Sequence, residues 1–448
     1  MHLAVVILAA GQGTRMKSDL PKVLHPLGGH PLVTYSLNAA RTLTDAKPVL
    51  VVGHGAERVR EVVGDQAVLV LQAEQLGTGH ALMQAEPVLA GQADTVLVLY
   101  ADMPLVRPET LRALVQAHTC QGDTTITLVS VIADQSRGFG RVVRDASGNV
   151  IALVEEAQAT PEQLAIRELN AGIYCFDARW LWPHLHQLPL SPKGEYYLTD
   201  TVALAVAEGR KVQAVIAEDP EEMLGINTRV HLAEAEAVLR RRINQRWMEA
   251  GVTLLDPLTT YIQDTVEIGP DTVILPNTHL WGQTRVGAAC TLGPNTILRD
   301  TTLGDRCRVE ASVLEGATLE DDVSVGPFAH LRPGAHLAQG VHLGNFAEVK
   351  NATLGPGTKV GHFSYIGDAT LGANVNIGAG TVTCNFDGER KHHTTIEDGA
   401  FIGSDTMLVA PVTIGRGAKT GAGAVVTRDV PPGRLAYGVP ARVIQEER

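Results

Sequence analysis

From Ile268 onward an aliphatic side chain returns every six residues, occasionally every five, almost to the end of the chain. The positions are 268, 274, 280, 286, 292, 298, 303, 309, 314, 319, 325, 331, 337, 343, 349, 354, 360, 366, 371 and 377, then, after one interruption, 396, 402, 408, 414, 420 and 426. Of these 26, 25 are Ile, Leu or Val, Thr420 being the exception, and the fourth residue after each is Ala, Cys, Ser, Thr or Val. A period of six matches neither a helix nor the two-residue alternation of a strand. It fits a solenoid of short flat faces, each turning one large and one small side chain inward. Three hexads per turn give about nine coils stacked about 4.8 Å apart. Residues three hexads apart then stand over one another.

This pattern resembles the left-handed parallel β-helix of hexapeptide-repeat acyltransferases, and the handedness is taken from the resemblance, since right-handed crossovers are the general rule. Residues 1–251 follow another pattern, with 19 glycines against 26 in the shorter remainder. Leu3–Leu8, Pro48–Val52, Val68–Leu71, Thr95–Tyr100 and Thr125–Val131 are short apolar runs, several separated by helix-length segments. That alternation predicts a Rossmann-like α/β domain with a mostly parallel sheet. A long helix follows from about Thr228 to Ala250, marked by Leu232, Leu239, Ile243 and Trp247 and stopped by Gly251. The expected organisation is an α/β domain over 1–227, a helical linker over 228–250 and a β-helix over 251–448.

Composition narrows the function. At 45% hydrophobic the chain can build large cores, which excludes wholesale disorder. A net charge of −12 argues against nucleic acid or an anionic membrane as partner, so an anionic substrate needs a local cluster of cations. The five cysteines are odd in number, with no CxxC pair, and read as buried small residues in a reducing compartment. The run Leu3 to Ala10 is too short to span a bilayer. A cytoplasmic protein acting on small molecules is expected.

Val5-Val6-Ile7-Leu8 leads into Ala9-Ala10-Gly11-Gln12-Gly13-Thr14-Arg15. A strand feeding a Gly-rich turn presents bare backbone N–H groups to phosphate, and Arg15 and Lys22 add two cations. Downstream, Gln72 and Gln75 in Gln72-Ala73-Glu74-Gln75-Leu76-Gly77-Thr78-Gly79-His80 offer amides that match the acceptor–donor edge of uracil. Thr95–Tyr100 ends in Ala101-Asp102, placing a carboxylate where open α/β sheets bind ligands and where Mg²⁺ finds a ligand.

Taken together, residues 1–227 resemble the uridylyltransferase domain of the bifunctional N-acetylglucosamine-1-phosphate uridylyltransferase/glucosamine-1-phosphate N-acetyltransferase family, most specifically through LQAEQLGTGHA. The resemblance implies that Leu8, Ala9, Ala10, Gly11, Arg15 and Lys22 bind the nucleotide, with Tyr100 and Ala101 also in the site. It further implies that Gln72, Gly77 and Thr78 read uracil and ribose. Gly140, Glu155 and Asn170 bind the sugar, and Asp102 and Asn227 share Mg²⁺. Ala101 stands where the family usually has Gly, and Ala171 where it often has Thr. A methyl at 101 is expected to crowd the pocket.

The hexad register places Arg332 and Lys350 on adjacent coils about 5 Å apart. Two stacked cations need a neutralising partner, either a carboxylate such as Glu348 or a ligand phosphate. Tyr365 lies one coil from Glu348, so these four gather at one corner with His362, a general-base candidate, nearby. The interruption between 377 and 396 inserts thirteen extra residues, including Asn385-Phe386 and Lys391-His392-His393. NFAEVKNATLG, GHFSYIGDA and NVNIGAGTVTCNFDG resemble the acetyltransferase core of the same family. The resemblance implies that His362 is the base, that Arg332, Lys350, Tyr365 and Asn376 bind glucosamine-1-phosphate, and that Ala379, Asn385, Phe386, Ser404 and Ala422 line the acetyl-CoA site. Phe386 replaces the family's usual Tyr.

The expected protein therefore acetylates glucosamine-1-phosphate from acetyl-CoA and then joins N-acetylglucosamine-1-phosphate to UTP, releasing pyrophosphate. The register also puts Asn376 at the end of the third face and the Asn385 loop on a face distinct from that of His362. A homotrimer, which the resemblance also implies, would bring such corners together.

Overall fold

The structure is a computed structural model and describes residues 2–120 and 122–444. The chain forms two compact units, Met1–Leu239 and Arg240–Arg448. In the first, a sheet runs in the order Lys211–Ile216, Thr124–Ile132, Glu168–Asp177, Thr95–Tyr100, Leu3–Ala9, Val49–Val52 and Val68–Leu71. All neighbours are parallel except Glu168–Asp177, which is antiparallel to both of its own. A hairpin of Arg141–Arg144 and Val150–Val154 branches off this order, pairing at Arg141 with Leu169 near the start of Glu168–Asp177.

The central strands are apolar on both faces because helices cover both. Val5, Ile7, Leu50, Val52, Leu97 and Leu99 belong to one core, and Val6, Leu8, Val49, Val51, Val96 and Val98 to the other. The five predicted strands are present with ends shifted by one residue at most. The helix Arg229–Glu249 runs from the first unit into the second. Ala235 and Val238 pack with Leu27, Leu32, Leu105, Leu224 and Ile226 in the first. In the second, the buried Asn244 donates through Nδ2 to the carbonyls of Pro257 and Thr260 at 2.8 and 3.0 Å. Among the described residues no helix is long and apolar enough to cross a membrane.

The second unit is the left-handed parallel β-helix. One face carries twelve strands, the last of which, Ala441–Ile444, turns back antiparallel and closes the stack. All 26 repeat positions are buried. The repeat starts earlier than the sequence shows, with Leu254 in register with Ile274 and Ile262 with Leu280. The inward small residue also needs correction. In the five-residue repeats it is the third rather than the fourth: Thr301, Ser312, Ala317, Ala352 and Ala369 are buried, whereas Thr302, Thr318, Thr353 and Thr370 are exposed. A short repeat loses its residue at the corner, and the face keeps its phase. Interior threonines survive because their hydroxyls donate to nearby carbonyls, as Thr278 does to Leu275 and Thr406 to Gly403.

The interruption is smaller than thirteen residues. Thr383 occupies the repeat position after Ile377, fully buried, accepting from Gly367 N at 2.8 Å and donating to Gly367 O at 3.0 Å. A threonine satisfied in this way broke the aliphatic pattern without breaking the coil. The excursion itself is a small ordered hairpin in which Phe386 pairs with Lys391 and His392 N donates to Asn385 O. Asp387 caps its tip through the Glu389 and Arg390 amides.

Candidate functional sites

In the first unit a cleft of about 530 Å³ opens at the C-terminal ends of Leu3–Ala9 and Thr95–Tyr100. Leu8 through Arg15, Lys22, Gln72, Gln75, Gly77, Thr78, Tyr100, Asp102 and Asn227 line it. The Gly13 φ of 63° lets the turn lie against Lys22, whose Cβ is 2.7 Å from where a side chain at 13 would begin. Gly77, with φ 97°, allows the strip around Tyr196 to close on the loop, as Tyr196 N donates to Leu76 O and Gly79 N to Tyr196 O. That closure brings in Glu195 and Tyr197, which no sequence motif flagged. Leu198 N donates to Thr78 Oγ1 at 3.0 Å, so Thr78 is tied to the same strip.

At the floor of the cleft the Lys22 ammonium donates to Asp102 Oδ2 at 2.5 Å and to Asn227 Oδ1 at 3.1 Å. One carboxylate and one carboxamide oxygen thus converge on a single cationic position, a hard-oxygen donor set that fits a divalent ion. Tyr100 lies among Thr78, Asp102 and Glu155, and burial pushes its phenol well above the ordinary range.

The expected sugar residues cluster beside the cleft. Asn170 N donates to Gly140 O at 2.8 Å, and Asn170 Nδ2 to Tyr174 Oη at 2.7 Å. Glu155 Oε1 accepts from Thr199 Oγ1 at 3.4 Å, and burial raises its carboxyl above the usual range. The predicted crowding by Ala101 does not occur: Ala101 and Ala171 are both buried in the same hydrophobic core. Gln72 is also more constrained than expected. Its Nε2 donates to Gly77 O at 3.0 Å and faces His80 Nδ1 at 3.1 Å, so only Oε1 remains to meet a ligand. Gln75 donates to Gln72 O and accepts from Gln12.

In the second unit Leu331 is in register with Val349, so Arg332 and Lys350 are stacked as the spacing predicted. Both neutralising possibilities keep a place. Glu348 takes Arg332 at 3.0 Å, while Lys350 is left facing Lys391 of the hairpin. Contact with Lys391 and repulsion from Arg332 hold the Lys350 ammonium below its usual range. The sequence showed Lys391 in the insertion but gave it no role, because its position depends on how the hairpin folds back. Asp368, 9% exposed, accepts from Asn351 at 2.6 Å and from Asn385 Nδ2 at 2.5 Å, and Asn385 Nδ2 lies 3.5 Å from Tyr365 Oη. One chain therefore brings Asn385 to the Tyr365 corner.

His362 lies one coil from Asn345, and its Nδ1 is 2.9 Å from Asn345 Oδ1. With Nδ1 donating to that oxygen, Nε2 carries the lone pair. Asn345 gave no separate signal in the sequence. Val360 is in register with Ile377 and Ile377 with Ile402, and Phe401 with Lys419. His362, Ala379, Ser404 and Ala422 consequently form one column down a corner. Asn376 is corrected: it opens the strand paired with Lys359–His362, on the same face as His362 but at the opposite edge. Phe386 is exposed on the hairpin.

A cleft with a glycine turn and cations at the C-terminal ends of parallel strands, carried in one chain with a hexapeptide solenoid bearing a poised histidine, defines a two-site transferase, nucleotidyl transfer at one site and acyl transfer at the other. Residues 5–195 match the MobA-like NTP transferase domain, 283–314 the hexapeptide repeat of succinyl-transferase, and 393–428 the bacterial transferase hexapeptide (six repeats). The chain is 50% identical to the bifunctional protein GlmU of Heliobacterium modesticaldum over 96% of this chain and 94% of that one. It is 48% identical to that of Pelobacter propionicus over 99% and 97%. The chain belongs to the GlmU family. It is a bifunctional uridylyltransferase and acetyltransferase of UDP-N-acetylglucosamine synthesis.

Proposed function

We propose that each site handles one phosphorylated sugar. At the cationic corner Arg332, Lys350 and Lys391 hold the phosphate of glucosamine-1-phosphate, with Tyr365, Asn385 and, from a neighbouring chain, Asn376 around the sugar. His362 Nε2 takes a proton from the amine as the nitrogen forms its bond to the acetyl carbonyl carbon. The bond from that carbon to sulfur breaks, and coenzyme A leaves as a thiolate that ends as a free thiol. The small side chains of Ala379, Ser404 and Ala422 leave a smooth track for acetyl-CoA beside the hairpin carrying Asn385 and Phe386. The observation that carries this reading is the column itself, which sets the base at the head of that track.

In the cleft the backbone of Leu8–Gly11, with Arg15 and Lys22, receives the triphosphate of UTP, and Gln72, Gly77 and Thr78 receive its nucleoside. Gly140, Glu155 and Asn170 hold N-acetylglucosamine-1-phosphate. A phosphate oxygen of the sugar attacks the α-phosphorus in line, and the bond to the β-phosphate breaks to release pyrophosphate. Asp102 and Asn227 would hold Mg²⁺, which when bound neutralises phosphate charge. Lys22 leaves these oxygens for a phosphate. The setting is the cytoplasm, consistent with five free cysteines.

The working unit in this proposal is a homotrimer. Its support is Asn376 at the far edge from His362, and a column of exposed phenylalanines at one corner. Phe328, Phe346 and Phe363 are 59%, 61% and 58% exposed in a chain with only seven Phe. Acetyl-CoA plus glucosamine-1-phosphate should yield free thiol. Mixing inactive His362→Ala and Asn376→Ala chains under subunit exchange should restore part of that activity. A fully active monomer by light scattering rules the trimer out.

A further inference from the structure

We infer that His80 is a positioning residue for base selection: it fixes which end of the Gln72 amide faces the nucleobase. This rests on the reading of the cleft as a uridine nucleotide site. Gln72 is 3% exposed, and its Nε2 end touches two groups. The first is the Gly77 carbonyl at 3.0 Å, which can only accept. The second is His80 Nδ1 at 3.1 Å. A carbonyl on one side orients the amide, so the second amide hydrogen must go to the imidazole, and Nδ1 must be the accepting nitrogen.

The other ring nitrogen also faces an amide, Gln84 Nε2 at 3.3 Å, while that group donates to the His80 carbonyl at 3.1 Å. A neutral imidazole accepts at one nitrogen only. The buried Gln72 has the stronger claim, because its hydrogen would otherwise be left without a partner. Gln84 is only half buried and already has the carbonyl.

The consequence lies at Gln72 Oε1, which has no partner among the described residues and lines the cleft. It can accept from an N–H but cannot donate. Uracil carries an N3–H, whereas cytosine presents a lone pair at N3. An amide pinned at its nitrogen end selects the imide proton. Without His80 the amide is held by the Gly77 carbonyl alone, so turning over to present NH₂ to cytosine costs one hydrogen bond less. His80 thereby shapes specificity without touching the substrate.

The experiment measures kcat/KM for UTP and CTP in the full-length enzyme, with circular dichroism and thermal melting as the control of folding. His80→Leu should lower the UTP-over-CTP ratio by about 5- to 10-fold, the effect of one hydrogen bond. The change should fall mainly on the KM for UTP. His80→Asn, which returns an accepting oxygen, should recover most of the ratio. In a Gln72→Met background, His80→Leu should change the ratio no further. An unchanged ratio in His80→Leu, or equal additive losses in both backgrounds, overturns the inference and reduces His80 to a packing role. A wild-type enzyme indifferent to UTP and CTP overturns instead the uridine reading. Should His80→Leu lose its fold, His80→Asn with the Gln72→Met background still decides: a ratio as poor as that of Gln72→Met alone refutes the role.

Discussion

The cleft and the corner, each proposed above to hold a phosphorylated sugar, are built by opposite means. The cleft is made by distant segments closing on one point. Lys22, Asp102 and Asn227 meet within 3.1 Å although the last two are 125 residues apart. The corner is made by repetition, with Arg332 under Lys350 and Asn345 beside His362 because at these places the coil returns after 18 and 17 residues. Closure gives a recessed cleft lined by distant segments of one unit. Repetition gives an open surface on which cations line up readily, but it cannot by itself wall a pocket, and the hairpin supplies the one wall that this chain adds at that corner.

The strongest way to break this contrast is to remove the base. His362→Ala should lower acetyl transfer roughly 10²–10⁴-fold and leave uridylyl transfer near wild type. Loss of both activities in a folded protein would falsify the independence of the two sites. Asp102→Ala is the converse. It should reduce uridylyl transfer by roughly 10²–10³-fold, as loss of charge neutralisation at phosphate predicts, and assays of thiol release should stay unchanged.

Lys391→Ala asks whether the hairpin completes the corner. The KM for glucosamine-1-phosphate should rise about tenfold or more, the scale of one charged hydrogen bond. The pKa of Lys350 should also rise, since its nearest repelling neighbour is gone. An unaltered KM means the repeat alone suffices. The smallest effect concerns Glu155. Burial raises its carboxyl pKa, so its ionisation opposes folding as pH rises through the unfolded value, and the full cost stands above the folded value. Glu155→Gln should therefore raise Tm by about 1–3 °C at pH 7 with no gain near pH 3, while weakening sugar binding. A Tm gain equal at both pH values excludes ionisation as the cause.

The contrast also explains what could be read in advance. Numbering alone stacked Arg332 on Lys350 and brought Tyr365 to Glu348, since a fixed period converts sequence distance into position. The same counting failed at Thr383, where a polar residue satisfied across the coil stood in for an aliphatic one. It also failed at Asn376, placed on the wrong face. In the α/β unit the strands were legible from apolar runs, and the glycine turn and Asp102 from their places directly after strand ends. Glu195 and Tyr197 were hidden because only the backbone pairing of 76–79 with 196 carries them to the cleft. Ala101 was misjudged for a related reason, as the sequence does not say which way a methyl at a strand end points.

On the proposed reading, the column of His362, Ala379, Ser404 and Ala422 makes the acetyl-CoA track a ruler whose divisions are coils. Phe401 and Lys419 lie in register eighteen residues apart. Excising residues 402–419 would shorten the ruler by one division of about 4.8 Å and keep its marks aligned. Excising only six residues there would swing every later mark to another edge of the prism. Length and alignment are thus independent variables in this protein, and a lineage could lengthen or shorten its grip on a long cofactor by whole coils while leaving the histidine at the zero of the scale.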